Sequence, residues 1–140
     1  MSNVRYFQLI VDKRNATYED GYRMAYILLR LRQNDKEASR QKLTFSGYRQ
    51  ALIQDHIIDN MWNEGANDLL THDVAAYLIA SAIDLKGGVL WSLTKTPRYA
   101  HREMIDRKLM SKVNPRQYIS GPQLLSVFSD SKKFMESSPR

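Results

Sequence analysis

Cysteine is absent from this 140-residue chain, which excludes a disulfide framework, a thiolate metal site and a cysteine nucleophile. The absence fits a reducing compartment. No stretch approaches the 18 or more apolar residues of a membrane-spanning helix, so no membrane partner is expected. The opening segment MSNVRYFQLIVDKR has a short apolar core with charges on both sides. It lacks the basic start and small-residue cleavage site of a secretory leader, and a cytoplasmic location follows as the expectation. Catalytic signatures are missing as well: there is no GxSxG, no Walker-type glycine loop, no GxGxxG and no HExxH. No internal repeat or low-complexity tract is evident.

What is present describes one globular domain spanning 1–140. The hydrophobic fraction is 43% and the charged fraction 26%, ordinary values for a chain that folds. A domain of this length buries roughly two thirds of its unfolded surface. Twenty-one basic residues against fifteen acidic ones leave a net charge of +6. Its distribution is uneven. Residues 1–40 carry +3, 41–94 carry −3, 95–116 carry +5 and 117–140 carry +1. An acidic middle between basic flanks favours a polyanionic partner on the basic side.

The apolar pattern predicts an all-α, compact bundle of about five helices. The N-terminal segment 1–16 includes a run over 3–12 that is either helix or strand, because short apolar runs do not choose. Thr17 and Asp20 have capping-box spacing and open a helix to about Asn34. Its wide stripe (Tyr22, Ala25, Tyr26, Leu29, with Met24 and Leu28) makes it central to the core. Asp35 is a candidate cap for a short polar helix. Ser46 is expected to cap a helix through Trp62 that ends at Gly65. Thr71 or Asp73 starts another, with Val74, Tyr77, Leu78, Ala82 and Leu85 as its buried face. Gly87-Gly88 breaks the chain before VLWSL. Thr96-Pro97 is an N-cap and N1 pair opening a helix over 97–112, closed by Asn114-Pro115. Ser120-Gly121-Pro122 opens a last short helix with Leu124, Leu125 and Phe128. The residues after it, 130–140 included, read as a flexible tail.

Candidate chemistry is sparse. His56, His72 and His101 are far apart in sequence and have no cysteine beside them, so no metal site is expected. Asp55 and Asp59 lie one helical turn apart around His56, a spacing that suits an acid–base pair but is more often a solvated face. No catalytic residue and no cofactor is expected. THDVAAYLIASAIDLKGGVLWSL opens like a helix-turn-helix, but the tight turn is missing and VLWSL cannot read base edges.

The strongest signal is the basic segment KTPRYAHREMIDRKLMSKVNPR, residues 95–116. Arg98 and Arg102 are four apart and share a helical face. Lys95 joins them at the start, and Arg107, Lys108 and Lys112 continue the ridge. Such cations neutralise phosphates and release counterions, with arginine adding bidentate geometry. Arg23 and Arg30, seven apart on the first long helix, extend the set if the two groups converge. The competing reading is a solvated face that keeps the protein soluble.

With this helical bundle from Tyr18 to about Ser129, and with Arg98, Arg102, Arg107, Lys108, Lys112, Arg23 and Arg30 on it, the chain resembles the small helical subunit of type I CRISPR surveillance complexes (Cascade). The resemblance is one of profile and covers most of the chain. It implies a non-catalytic subunit that holds target DNA by its backbone and packs against other subunits, including copies of itself, through residues 46–94. Two further readings stand beside it. One is a helical viral coat or nucleocapsid protein, and the other is a phage-type regulator that binds a host protein through Trp62 and Trp91.

Overall fold

The computed structural model describes residues 2–86 and 94–137. Among them are seven helices and no strand: α1 (Asn3–Ile10), α2 (Tyr18–Arg32), α3 (Lys36–Ser39), α4 (Phe45–Gln54), α5 (His72–Ala82), α6 (Pro97–Asp106) and α7 (Gly121–Ser137). The all-α expectation holds. The count is seven because the ambiguous opening run is helical and Asp35 caps a separate one-turn helix, its side chain accepting from the Ala38 N–H. Gly87-Gly88 and the VLWSL segment, Trp91 included, lie outside the described residues.

Helix α2 is the axis of the fold. Thr17 and Asp20 form the expected capping box, and every residue from Asp20 to Leu29 is buried. A helix buried on all sides must be enclosed by neighbours, and α3, α4, α5 and α7 pack around it. Helix α5 sits between α2 and α6, and α1 lies on α7. Aromatic rings fill the α2–α4 side: Tyr22 stacks on Phe45 with centroids 5.3 Å apart, and Trp62 stacks on Tyr77 at 5.5 Å.

Three extended segments, each just before a helix, tie the bundle together. The Ala16 N–H donates to the Ile119 carbonyl (2.8 Å), the Ile119 N–H to Leu70 (3.0 Å), and the Leu70 N–H to Ala16 (3.0 Å). The ring closes on itself, and all three residues are fully buried. It satisfies backbone groups that burial would otherwise orphan, and it gathers the starts of α2, α5 and α7 at one place.

The helix ends depart most from expectation. Four of the N-caps are threonines, Thr17, Thr44, Thr71 and Thr96. Thr44 rather than Ser46 caps α4, accepting from the Gly47 N–H. At the C-termini, Asn34, His56, Asp84 and Lys108 all have positive φ, between 54° and 61°. Each makes the two bonds of a Schellman motif: for α6, Lys108 N–H to Ile105 O (2.9 Å) and Leu109 N–H to Met104 O (2.8 Å). These caps stop α4 at Gln54 and α6 at Asp106, well short of the helices expected to Trp62 and to residue 112. The last helix errs the other way. It continues to Ser137 with Ser131 and Met135 buried, so residues 130–137 are not a tail.

Candidate nucleic-acid interface

Helix α6 presents its two faces to different surroundings. Ala100, His101 and Met104 are buried toward α5, while Arg98, Arg102 and Asp106 are exposed. Arg98 and Arg102 thus form the shared outward face that their spacing predicts. Neither is in an ion pair among the described residues. Lys95 is exposed just ahead of the helix, with φ 49°.

The rest of the expected ridge is not helical. Arg107 is the C-cap residue, its Nε 3.0 Å from Glu103 and its Nη2 donating to the Lys86 carbonyl at 2.5 Å. These contacts commit part of its donor fork to the protein. Lys108 sits in the left-handed cap, and Lys112 lies in the following loop, both exposed. That loop is held firmly. Pro115 and Gln117 accept from the Asp73 and His72 N–H groups, both at 2.9 Å, at the start of α5. The loop carries Arg116, exposed as well, which belongs to the basic segment but not to its expected contact residues. The exposed cations therefore lie on a helix face and on a pinned loop, not on one continuous ridge.

Arg23 and Arg30 are placed elsewhere. Arg23 is 6% exposed, with its guanidinium 4.0 Å from the centre of the Tyr6 ring and an Nη2 bond to Asn3 Oδ1. Arg30 lies 3.2 Å from Asp55 and over the Tyr26 ring at 4.9 Å. Helices α2 and α6 share no contacts, because α5 stands between them. Among the described residues Lys95 alone nears the α2 set, lining one cavity with Arg32 and with Asp55, the Arg30 partner, while Arg23 and Arg30 act as packing residues.

No protein-family model, curated protein or solved structure matches the chain. The surface must therefore be read from its own geometry.

The acidic candidates have partners of their own. Asp55 is engaged by Arg30, and Asp59 accepts from the Met61 N–H. His56 is an exposed left-handed cap. Among the described residues no group of three or more histidine or acidic side chains is arranged to hold a metal, and no helix is long and apolar enough to cross a membrane. The fold does unite two histidines that are distant in sequence. The His72 and His101 rings lie 6.2 Å apart, edge to face, both buried beside the buried carboxylate of Asp73. His72 Nδ1 is 2.8 Å from the Gln117 carbonyl, which can only accept, so that nitrogen carries a proton. The Nε2 atom of His101 is buried without a partner. Burial, and then the neighbouring His72, push the His101 pKa below its ordinary value, with Asp73 opposing. The pair pins α5 to α6 and faces inward, away from the arginine face.

Proposed function

We propose that this protein is a non-catalytic nucleic-acid-binding subunit that grips the phosphate backbone with the outer face of α6 and the loop after it. The observation that carries the reading is the exposure of Arg98 and Arg102 on one side of a helix whose other side is buried. Lys112 and Arg116 on the adjoining pinned loop extend it. Cations held on a rigid base lose little freedom on meeting a phosphate, and counterion release then drives association. Such contacts fix position and carry no base information. The narrower proposal is that the subunit works within a ribonucleoprotein assembly of the Cascade type, beside other copies of itself. The exposed side chains of Met61 and Leu69, within 46–94, offer such a neighbour apolar surface. The host-protein regulator is less well served, since Trp62 is turned inward against Tyr77 and Tyr18.

The test is a quadruple variant, Arg98→Ala with Arg102→Ala, Lys112→Ala and Arg116→Ala, measured by fluorescence anisotropy across a salt series. The slope of log affinity against log salt should become shallower by about 0.7–0.9 per lost contact, roughly three in all. Lys36→Ala with Arg40→Ala, at α3 and away from α6, should leave the slope unchanged. A folded quadruple variant with the parental affinity and slope would reduce the basic face to a solubilising surface.

A further inference from the structure

Beside the basic loop lies a cavity of about 280 Å³, bounded by the loop on one side and α7 on the other. Its apolar walls include Leu109, Met110 and Val127, and its polar lining is His72, Lys108, Ser111, Gln123, Ser126 and Asp130. Gln123, Ser126 and Asp130 follow helical spacing, which puts them on one face of α7. Asp130 reaches the cavity because α7 runs on to Ser137 rather than ending near Phe128. The Gln123 Oε1 atom accepts from the Ser120 N–H in the cap of α7. Its amide nitrogen therefore remains as a donor. Asp130 can only accept when ionised, and Ser126 can do either. Lys108 stands among the lining residues, its backbone fixed at φ 61°.

The geometry points to this cavity as a pocket for one unstacked nucleobase that carries an exocyclic amino group, so not thymine, from a single strand whose phosphates lie on the basic loop. The inference rests on the backbone-binding reading above and adds strandedness and base preference to it. Three features support it. The volume lies at the small end of ligand cavities, enough for a single heterocycle and little more. Flipped bases are held between apolar walls while donors and acceptors meet their edge. The Asp130 carboxylate can accept from an exocyclic amino group, and Gln123, seven residues away on α7, offers its donor at another point of the lining. Thymine has no amino group, and its one ring donor, N3–H, is flanked by two carbonyl oxygens that a carboxylate repels. Lys112 and Arg116, exposed and outside the cavity lining, supply cations for the flanking phosphates.

Anisotropy with twelve-residue dC, dA and dT strands and a mixed-sequence duplex tests the pocket. Wild-type protein should bind dC and dA about tenfold more tightly than dT or duplex, the factor expected of one good base contact. Asp130→Ala removes an exposed carboxylate and leaves the core intact. It should bring the dC-to-dT ratio to about one while dT affinity stays level or rises. A second readout is direct: cytidine monophosphate should shift the His72 ring-proton resonances of the wild-type protein. Equal binding of all four oligonucleotides, with no response to the mononucleotide, overturns the pocket and leaves backbone binding standing. A mononucleotide response without salt-dependent oligonucleotide binding overturns the backbone reading and keeps the pocket. A dC preference that survives Asp130→Ala overturns the assignment of that carboxylate.

Discussion

Four helices end on residues that reach the left-handed region without glycine. An L-residue there costs roughly 1–2 kcal/mol, while glycine costs about 0.5–1 kcal/mol of extra chain entropy. At His56, an exposed cap with φ 60°, the balance predicts that His56→Gly stabilises the protein by about 0.5–1 kcal/mol. Thermal melts at neutral pH should show a rise of about 2–4 °C, and His56→Val a fall, since β-branched residues fit that region worst. A lower midpoint for the glycine variant would show that the histidine side chain itself supports the cap. The same residues explain which boundaries the sequence revealed. Asn34 is a usual cap residue, and the end of α2 was placed within two residues. His56 and Lys108 give no such signal. The residues after them, Ile57 and Leu109, are buried and prolong the apolar period past the true helix end. Threonine N-caps, by contrast, announce themselves chemically: Thr17 and Thr96 were legible at once, and Thr71 was one of two candidates beside Asp73.

At the scale of elements, the packing of α5 against α6 is the contact most relevant to the proposed interface, because it sets which way Arg98 and Arg102 face. Its buried histidine pair was hidden in the sequence, since 29 positions separate His72 from His101 and only the tertiary fold joins them. The pair makes that packing sensitive to acid. In the unfolded chain His101 titrates near about 6.5, whereas burial and His72 lower its value in the fold against the opposing pull of Asp73. As pH falls through the unfolded value, the unfolded chain takes up a proton that the fold resists. The stability present above about pH 6.5 is therefore lost progressively as pH drops toward the folded value. Wild-type protein should melt at a lower temperature at pH 5 than at pH 7.5. His101→Phe, which keeps a ring in the site and removes the titrating group, should reduce that difference. An identical pH dependence in the two proteins would assign the acid sensitivity to other groups. The exposed arginine face itself was readable from i, i+4 spacing, but Arg23 was misplaced by the same rule. Spacing gives the face of a helix and says nothing about what covers it.

The whole molecule depends on contacts between distant parts of the chain. The backbone ring through Ala16, Leu70 and Ile119 left no trace in the sequence, because hydrogen bonds between main-chain groups impose almost no residue signature. One position does record the convergence. Gly121 opens α7, and its N–H donates to the Lys13 carbonyl at 2.9 Å. A Cβ built there would lie 2.0 Å from the Ile10 carbonyl oxygen and 3.0 Å from the Lys13 Cβ. The obstacle is backbone, so it cannot rotate away as a flexible side chain would. Gly121→Ala must therefore push the start of α7 from the end of α1, lengthening the Gly121–Lys13 bond and disturbing the ring through neighbouring Ile119. We expect a loss at or above the top of the roughly 1–3 kcal/mol range for overpacked sites, read as a lower denaturant midpoint. Because the ring joins three segments far apart in the chain, the loss should lower one cooperative transition rather than split it in two. Ala66→Ser, at a half-exposed loop position, provides a comparison that should move the midpoint little. A Gly121→Ala protein with the parental midpoint would mean that α1 and α7 separate freely, and that the ring does not bind the bundle into one unit.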